Sequence, residues 1–135
     1  MLFDIKLIED RDYENILVNW WNDWGWTPPN KDFLPDNGKG GIIIYDKKTP
    51  VCAGFIYTTN SSVAWIDWII SNKKYRKKPH RKKALNLLID TLNDVAKKTE
   101  CKYIYAHNNN IHLINTFISN GYLQGSKSTE LIKKL

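Results

Sequence analysis

The sequence predicts an α/β fold in one domain: a mixed, mostly antiparallel central sheet with helices on both faces. Three observations predict it. Segments with strand character are interspersed with segments whose apolar residues recur at helical spacing. Three strand-like segments between residues 41 and 70 are separated only by short turns, as in an antiparallel meander. A long helical pattern then leads from the third of these to another strand, the crossover of a βαβ unit, so those two strands should be parallel.

The elements follow in order. Residues 2–8, LFDIKLI, alternate apolar and polar as a strand does. Residues 10–24 offer Asp10 as an N-cap and place Tyr13, Ile16, Leu17, Trp20, Trp21 and Trp24 at helical spacing. Residues 25–41 contain three prolines and four glycines. They read as an ordered loop or short helical turn, because Trp26, Phe33 and Leu34 need packing partners. GIIIYD (41–46), PVCAGFIYTT (50–59) and SVAWIDWII (62–70) form the meander, rich in Ile, Val, Tyr and Trp. From Lys82 to Lys97 the period becomes 3.6, with Ala84, Leu85, Leu88, Leu92, Val95 and Ala96 in one stripe. KYIYAH (102–107) is a further strand, IHLINTFISNGY (111–122) a short helix stopped by Gly121, and TELIKKL (129–135) a last strand.

Composition narrows the class. A chain of 135 residues with 42% hydrophobic and 13% aromatic content can bury a core and is not a disordered chain. No uninterrupted apolar segment approaches the ~20 residues needed to span a bilayer. The first residues carry an acid at position 4 and no long apolar region, so no signal peptide is expected and the cytoplasm is the expected compartment. Cys52 and Cys101 make no disulfide framework and are expected to be a reduced, buried pair. Three scattered histidines and two isolated cysteines lack metal-ligand spacing, so no metal is expected.

Charge is the most uneven property. The formal net charge is +6, yet eight of the twenty lysines and arginines lie between Lys73 and Lys83. Without that run the chain is slightly acidic. The basicity is local, which points to a site that grips an anion rather than to general nucleic-acid affinity.

The order of elements, with a basic junction between the fourth strand and the long helix, resembles the GNAT superfamily of N-acetyltransferases over nearly the whole chain. Two motifs carry the resemblance. SNKKYRKKPHRKKALNLLIDTL lies where the family has a strand end, then PxYRGKGxG, then a helix, and Tyr75 and Arg76 match its YR. NIHLINTFISNGY is similar to the family's NxxAxxLYxKxGF, with Asn110, Gly121 and Tyr122 in matching places. The sequence also departs from the pattern. Lys77, Pro79 and Arg81 replace glycines that let backbone N–H groups close on a pyrophosphate, and proline has no N–H to offer. Side-chain cations stand there instead, beside the positive end of a helix that begins near Pro79.

The resemblance implies acetyl transfer from acetyl-CoA, or another acyl-CoA, to a primary amine of a small molecule or a protein lysine. It implies Arg76, Lys77, Lys78, His80, Arg81, Lys82 and Asn110 as cofactor-binding residues. Backbone N–H groups of Ile69, Ile70 and Ser71 are implied at the reacting carbonyl, and Phe117 stands where the family often has a tyrosine that protonates the thiolate. For the base, Asp67 is the single ionisable residue of VAWIDWII, and its apolar flanks are expected to raise its pKa. His107, at a strand end, is the second candidate, because an imidazole titrates in the useful range. His80 and His112 read as a loop residue and a helix-surface residue. The cluster NWWNDWGWTPP is implied to wall the acceptor pocket, with Trp24, Trp26, Phe33 and Trp65 as substrate-facing candidates. At least two of Trp20, Trp21 and Trp24 read as core.

Two other classes of function stay open on the sequence. One is a nucleic-acid-associated protein of the same fold, using the 73–83 segment on phosphates. The other is a catalytically silent relative, given Phe117, Pro79 and Arg81. A membrane partner is not expected; antiparallel edges and exposed aromatics admit a homodimer.

Overall fold

The computed structural model describes residues 2–135, apart from the side chain of Lys78. Five strands form one sheet in the order of the sequence: β1 (Asp4–Leu7), β2 (Gly41–Asp46), β3 (Thr49–Thr58), β4 (Val63–Ser71) and β5 (Tyr103–Ala106). β1 to β4 pair antiparallel, and β4 pairs parallel with β5. The crossover is helix α3 (Lys78–Lys98), so both the meander and the parallel pair are as the sequence predicts.

Each face of the sheet carries its own core. On one face α3 sets Ala84, Leu88, Ile89 and Leu92 against Ile42, Ile44, Cys52 and Ile66, joined by Phe117 from α4 (Ile111–Ser119). On the other, the N-terminal helical segment sets Leu17, Trp20 and Trp21 against Ile8, Ile43, Ala53, Phe55 and Ile70. Full burial of each large apolar side chain stabilises the fold by roughly 1.5–3 kcal/mol. Ile89 is fully buried although it lies outside the stripe read from the sequence.

The N-terminal helical segment has three parts: α1 (Asp10–Asp12), a π-helical stretch (Tyr13–Leu17) and α2 (Val18–Asp23). Asp10 begins the helix rather than capping it. Glu9 occupies the cap position, and the Asp12 carboxylate accepts the Glu9 N–H at 2.8 Å. The loop that follows is ordered by two short 3₁₀ turns, Lys31–Phe33 and Pro35–Gly38, and by the Tyr13 hydroxyl donating to the Pro29 carbonyl.

Three further expectations are corrected. Residues 129–135 form no strand: an isolated strand has no partner for its N–H and C=O groups and no stability of its own. His80 lies in the first turn of α3, because the helix starts at Lys78, ahead of the apolar stripe. Cys52 is buried, and burial pushes its thiol pKa up, but Cys101 sits half-exposed beyond the end of α3; both are free thiols. Gly121 ends α4 as read, with the φ of +91° that a residue lacking Cβ adopts freely.

Two irregularities shape the centre of the sheet. The β3–β4 register slips between Ala53↔Ile70 and Phe55↔Asp67, so Trp68 and Ile69 together oppose Gly54. This bulge puts Trp68 in the left-handed region, φ +57°, a conformation that costs a residue with a Cβ on the order of 1–3 kcal/mol. Trp68 thereby shares a face with its neighbour Asp67. The second irregularity is length: β5 pairs only with Val63–Ile66, and β4 runs on beyond it to Ser71, paired with β3 alone.

Candidate active site

The site is built where β4 leaves β5, and three groups of side chains meet it. The first is the loop from Asn72 into α3. Its main chain is held by Tyr75, whose buried hydroxyl donates to the Asp46 carboxylate at 2.8 Å, and by the Asn72 amide donating to the Pro50 carbonyl. Tyr75 of the YR pair is therefore a structural anchor. Burial and the adjoining Asp46 push its pKa up to about 12. The hydrogen bond from Tyr75, with Lys77 3.7 Å away, holds Asp46 below its ordinary 3.8. A carboxylate with a lowered pKa stabilises the fold above its unfolded pKa, and that contribution is lost as pH falls through the lowered value. Tyr75→Phe is accordingly expected to lower the melting temperature at pH 6 and to flatten its decline below pH ~4, measured by thermal denaturation across the acid range.

Past this anchor, Arg76, Lys77 and Lys82 are exposed, and the Lys78 side chain lies outside the described residues. Arg81 turns inward and donates from Nη2 to the Asn72 carbonyl at 2.7 Å. Its Nε and the Nδ1 of His80 are buried without a hydrogen-bond partner among the described residues. The first turn of α3 contains no acidic residue. Orphaned buried nitrogens on a cation and an imidazole, in a helix start that carries no acid of its own although Asp46 lies beside it, fit a phosphate-bearing ligand.

The second group is β4 itself. Ile70 is buried in the core under α2, and Ile69 packs towards α3. The Ser71 carbonyl accepts the indole N–H of Trp24 at 2.8 Å, while Lys73 lies 5.1 Å from the Trp24 ring and donates to the Asp23 carbonyl. Trp24 thus ties the end of α2 to the end of β4. Asp67 is half-buried, with each oxygen engaged: Oδ1 accepts the Trp68 N–H at 2.8 Å and Oδ2 the Trp65 indole N–H at 3.4 Å. The carboxylate caps the bulge and still presents free lone pairs.

The third group is aromatic. Trp65 packs on Tyr105 at 5.3 Å and on the His107 ring at 4.5 Å. Trp68 meets Phe33 edge-on at 5.8 Å, and Tyr57 donates its hydroxyl to the Phe33 carbonyl. Burial, then the charge of Asp67, pushes Tyr57 up to about 12. So Asp67, His107, Trp65 and Phe33 are brought into one neighbourhood. Trp26 is half-exposed, with its N–H bonded to the Trp21 carbonyl, and has no ring contact with this group among the described residues. Asn110 caps α4, its side chain accepting from the N–H groups of His112 and Leu113. His112 is exposed on that helix, as read. Phe117 is buried, edge-on to Tyr122 at 4.9 Å, and offers no proton.

Sequence reading missed Tyr57 and Tyr105. Their signal was register: Tyr57 pairs with Trp65, and Trp65 with Tyr105, across three adjacent strands.

Comparison with known proteins decides the fold. An acetyltransferase of Trypanosoma brucei superposes with a TM-score of 0.68, over 98% of this chain and 100% of its own, at 13% identity. The fold is that of the GNAT acetyltransferases. A GNAT family acetyltransferase of Staphylococcus aureus matches over 100% of both chains at 20% identity, TM-score 0.60. Glucosamine-6-phosphate N-acetyltransferase of Arabidopsis thaliana matches over 96% of this chain and 100% of its own, at 15% identity and TM-score 0.59. No family model and no curated protein matches the sequence. Among the described residues, no helix is long and apolar enough to cross a membrane, and no cluster of three His, Cys, Asp or Glu side chains is placed to hold a metal. Two surface cavities, about 470 and 510 Å³, are not lined by Asp67: one lies at the start of β2 and end of β3, the other around Asp46, Lys48 and Lys77.

Proposed function

We propose that this protein transfers an acetyl group from acetyl-CoA to a primary amine, on a small molecule or a protein lysine. The observation that carries the reading is the pair of orphaned buried nitrogens, Arg81 Nε and His80 Nδ1, at the start of α3. Arg76, Lys77, Arg81 and Lys82 would hold the phosphates of the cofactor, with charge replacing the backbone donors that Pro79 and the missing glycines cannot supply. When bound, acetyl-CoA supplies an acetyl group activated as a thioester.

The chain's own residues do the rest. Asp67 holds the incoming ammonium, walled by Trp65, Trp68 and Phe33, where a cation gains from aromatic faces as well as from the carboxylate. His107 takes the proton that the amine must lose before it attacks. Backbone N–H groups of β4 beyond the bulge, from Ile69 to Ser71, meet the carbonyl oxygen as charge develops on it. Phe117 supplies no proton to the leaving thiolate, so solvent does.

Titration with acetyl-CoA and with desulfo-CoA, followed by tryptophan fluorescence, tests the reading. Saturable quenching is expected for both ligands, because Trp24 and Trp65 border the site. Arg81→Gln should weaken binding roughly tenfold to a hundredfold, the worth of one charge-assisted hydrogen bond. No change in fluorescence at millimolar ligand would remove the proposal.

A further inference from the structure

We propose that the protein also binds the phosphate backbone of a nucleic acid, on a basic surface where the β2–β3 turn meets the loop from Asn72 into α3. The two segments are distant in sequence, and the fold ties them together at several points. The Asn72 amide donates to the Pro50 carbonyl, the Tyr75 hydroxyl donates to the Asp46 carboxylate, and Lys77 lies 3.7 Å from the same carboxylate. A surface cavity of about 510 Å³ opens along this seam, lined by Asp46, Lys47, Lys48, Thr49, Tyr75 and Lys77. The turn thus adds Lys47 and Lys48 to the basic run of residues 73–83, a convergence that no count along the chain could show.

The charges of this surface are free to meet a partner. Lys47, Lys48 and Lys74 are exposed, and none of them forms an ion pair among the described residues. Lys74 lies between two of the ties, Asn72 and Tyr75, and so belongs to the same surface. Asp46 is the single acid of the cavity lining; it is only 6% exposed and is held by Tyr75, so it offsets little of the field outside. Lys73 is set apart, over the Trp24 ring and bonded to the Asp23 carbonyl. The phosphates of acetyl-CoA were given to Arg76, Lys77, Arg81 and Lys82. Lys47, Lys48 and Lys74 are additional to that set, and their role does not depend on acetyl transfer.

The kind of anion follows from what surrounds the charge. Among the described residues, none of the exposed large apolar side chains comes from residues 41–50 or 72–98. A protein partner needs an apolar centre to its interface, and a membrane-surface segment needs apolar side chains to bury. A phosphate backbone needs neither, because its affinity comes from counterions released as cations neutralise it. Lysines are compact point charges without the planar fork of arginine, which suits contact with phosphates rather than two-pronged reading of base edges. Binding is therefore independent of base sequence. The chain outside these segments is acidic on balance, which confines the strand to this face.

Fluorescence anisotropy of a labelled mixed-sequence oligonucleotide, single-stranded and duplex, tests the proposal on the full chain. If Lys47, Lys48 and Lys74 each neutralise one phosphate, affinity is expected to fall roughly 20- to 40-fold between about 50 and 200 mM salt. Lys47→Gln combined with Lys48→Gln should reduce that fall to about threefold, and should leave the desulfo-CoA titration as it is in the wild type. A scrambled oligonucleotide should bind as well as the first. A chain that binds the oligonucleotide but not desulfo-CoA loses the acetyl-transfer reading and keeps this one. No binding at the lower salt overturns the proposal, and so does binding that the double variant leaves unaltered. Equal affinity for polyglutamate, or for vesicles containing phosphatidylserine, also overturns it, because the surface would then accept any polyanion.

Discussion

His107→Ala is expected to lower kcat for acetyl transfer by roughly 100- to 10,000-fold, the range for loss of a positioned general base. Asp67→Asn should behave differently. Its side-chain oxygen can still accept the Trp68 N–H that Asp67 accepts at 2.8 Å, so the bulge is kept. What goes is the negative charge that holds an ammonium. The expected effect is a KM for the amine raised roughly tenfold to a hundredfold, with kcat less affected. Steady-state kinetics of both variants distinguish the roles. If Asp67→Asn lowers kcat on that scale while His107→Ala raises only the KM for the amine, the carboxylate is the base and His107 is not.

The contrast between these two residues shows which parts of the site were legible in the chain. The meander, the crossover and the parallel β4–β5 pair follow from local periodicity, because a period of two or 3.6 is imposed by burial of one face. The basic junction was legible as a concentration of charge. The bulge at Trp68 was not. It arises from pairing two residues of β4 against Gly54 of β3, and no local pattern announces a register slip. Without it Asp67 reads as an isolated acid between two tryptophans, when its two oxygens are in fact bonded to the backbone of one and the indole of the other. Residues 129–135 illustrate the opposite error. Their pattern is that of a strand, but pattern states only what a segment can do beside a partner, and the single chain provides none.

The same bulge connects core packing to the site, and makes Trp21→Ala the largest expected change in stability. Trp21 is fully buried beneath the centre of the sheet, edge-on to Trp68 at 5.9 Å and tilted against Tyr13 at 6.2 Å. Truncation removes the transfer energy of an indole and leaves a cavity that a sheet on one side and a helix on the other cannot close. The expected loss is about 3–5 kcal/mol, read as a lowered urea midpoint with unchanged slope. Trp21→Phe should cost much less. The indole nitrogen of Trp21 is buried without a partner among the described residues, so phenylalanine removes an unsatisfied donor while keeping most of the contact area. The Trp68 ring is clamped between Trp21 and Phe33, and this packing helps to hold its left-handed backbone. Opening one side of that clamp releases the strain, and the bulge that aims Asp67 relaxes with it. Trp21→Ala should therefore lose amine affinity at temperatures where it is still folded, whereas Trp21→Phe should keep it. Equal affinities in the two variants, measured below both unfolding transitions, would show that the bulge holds its shape without Trp21.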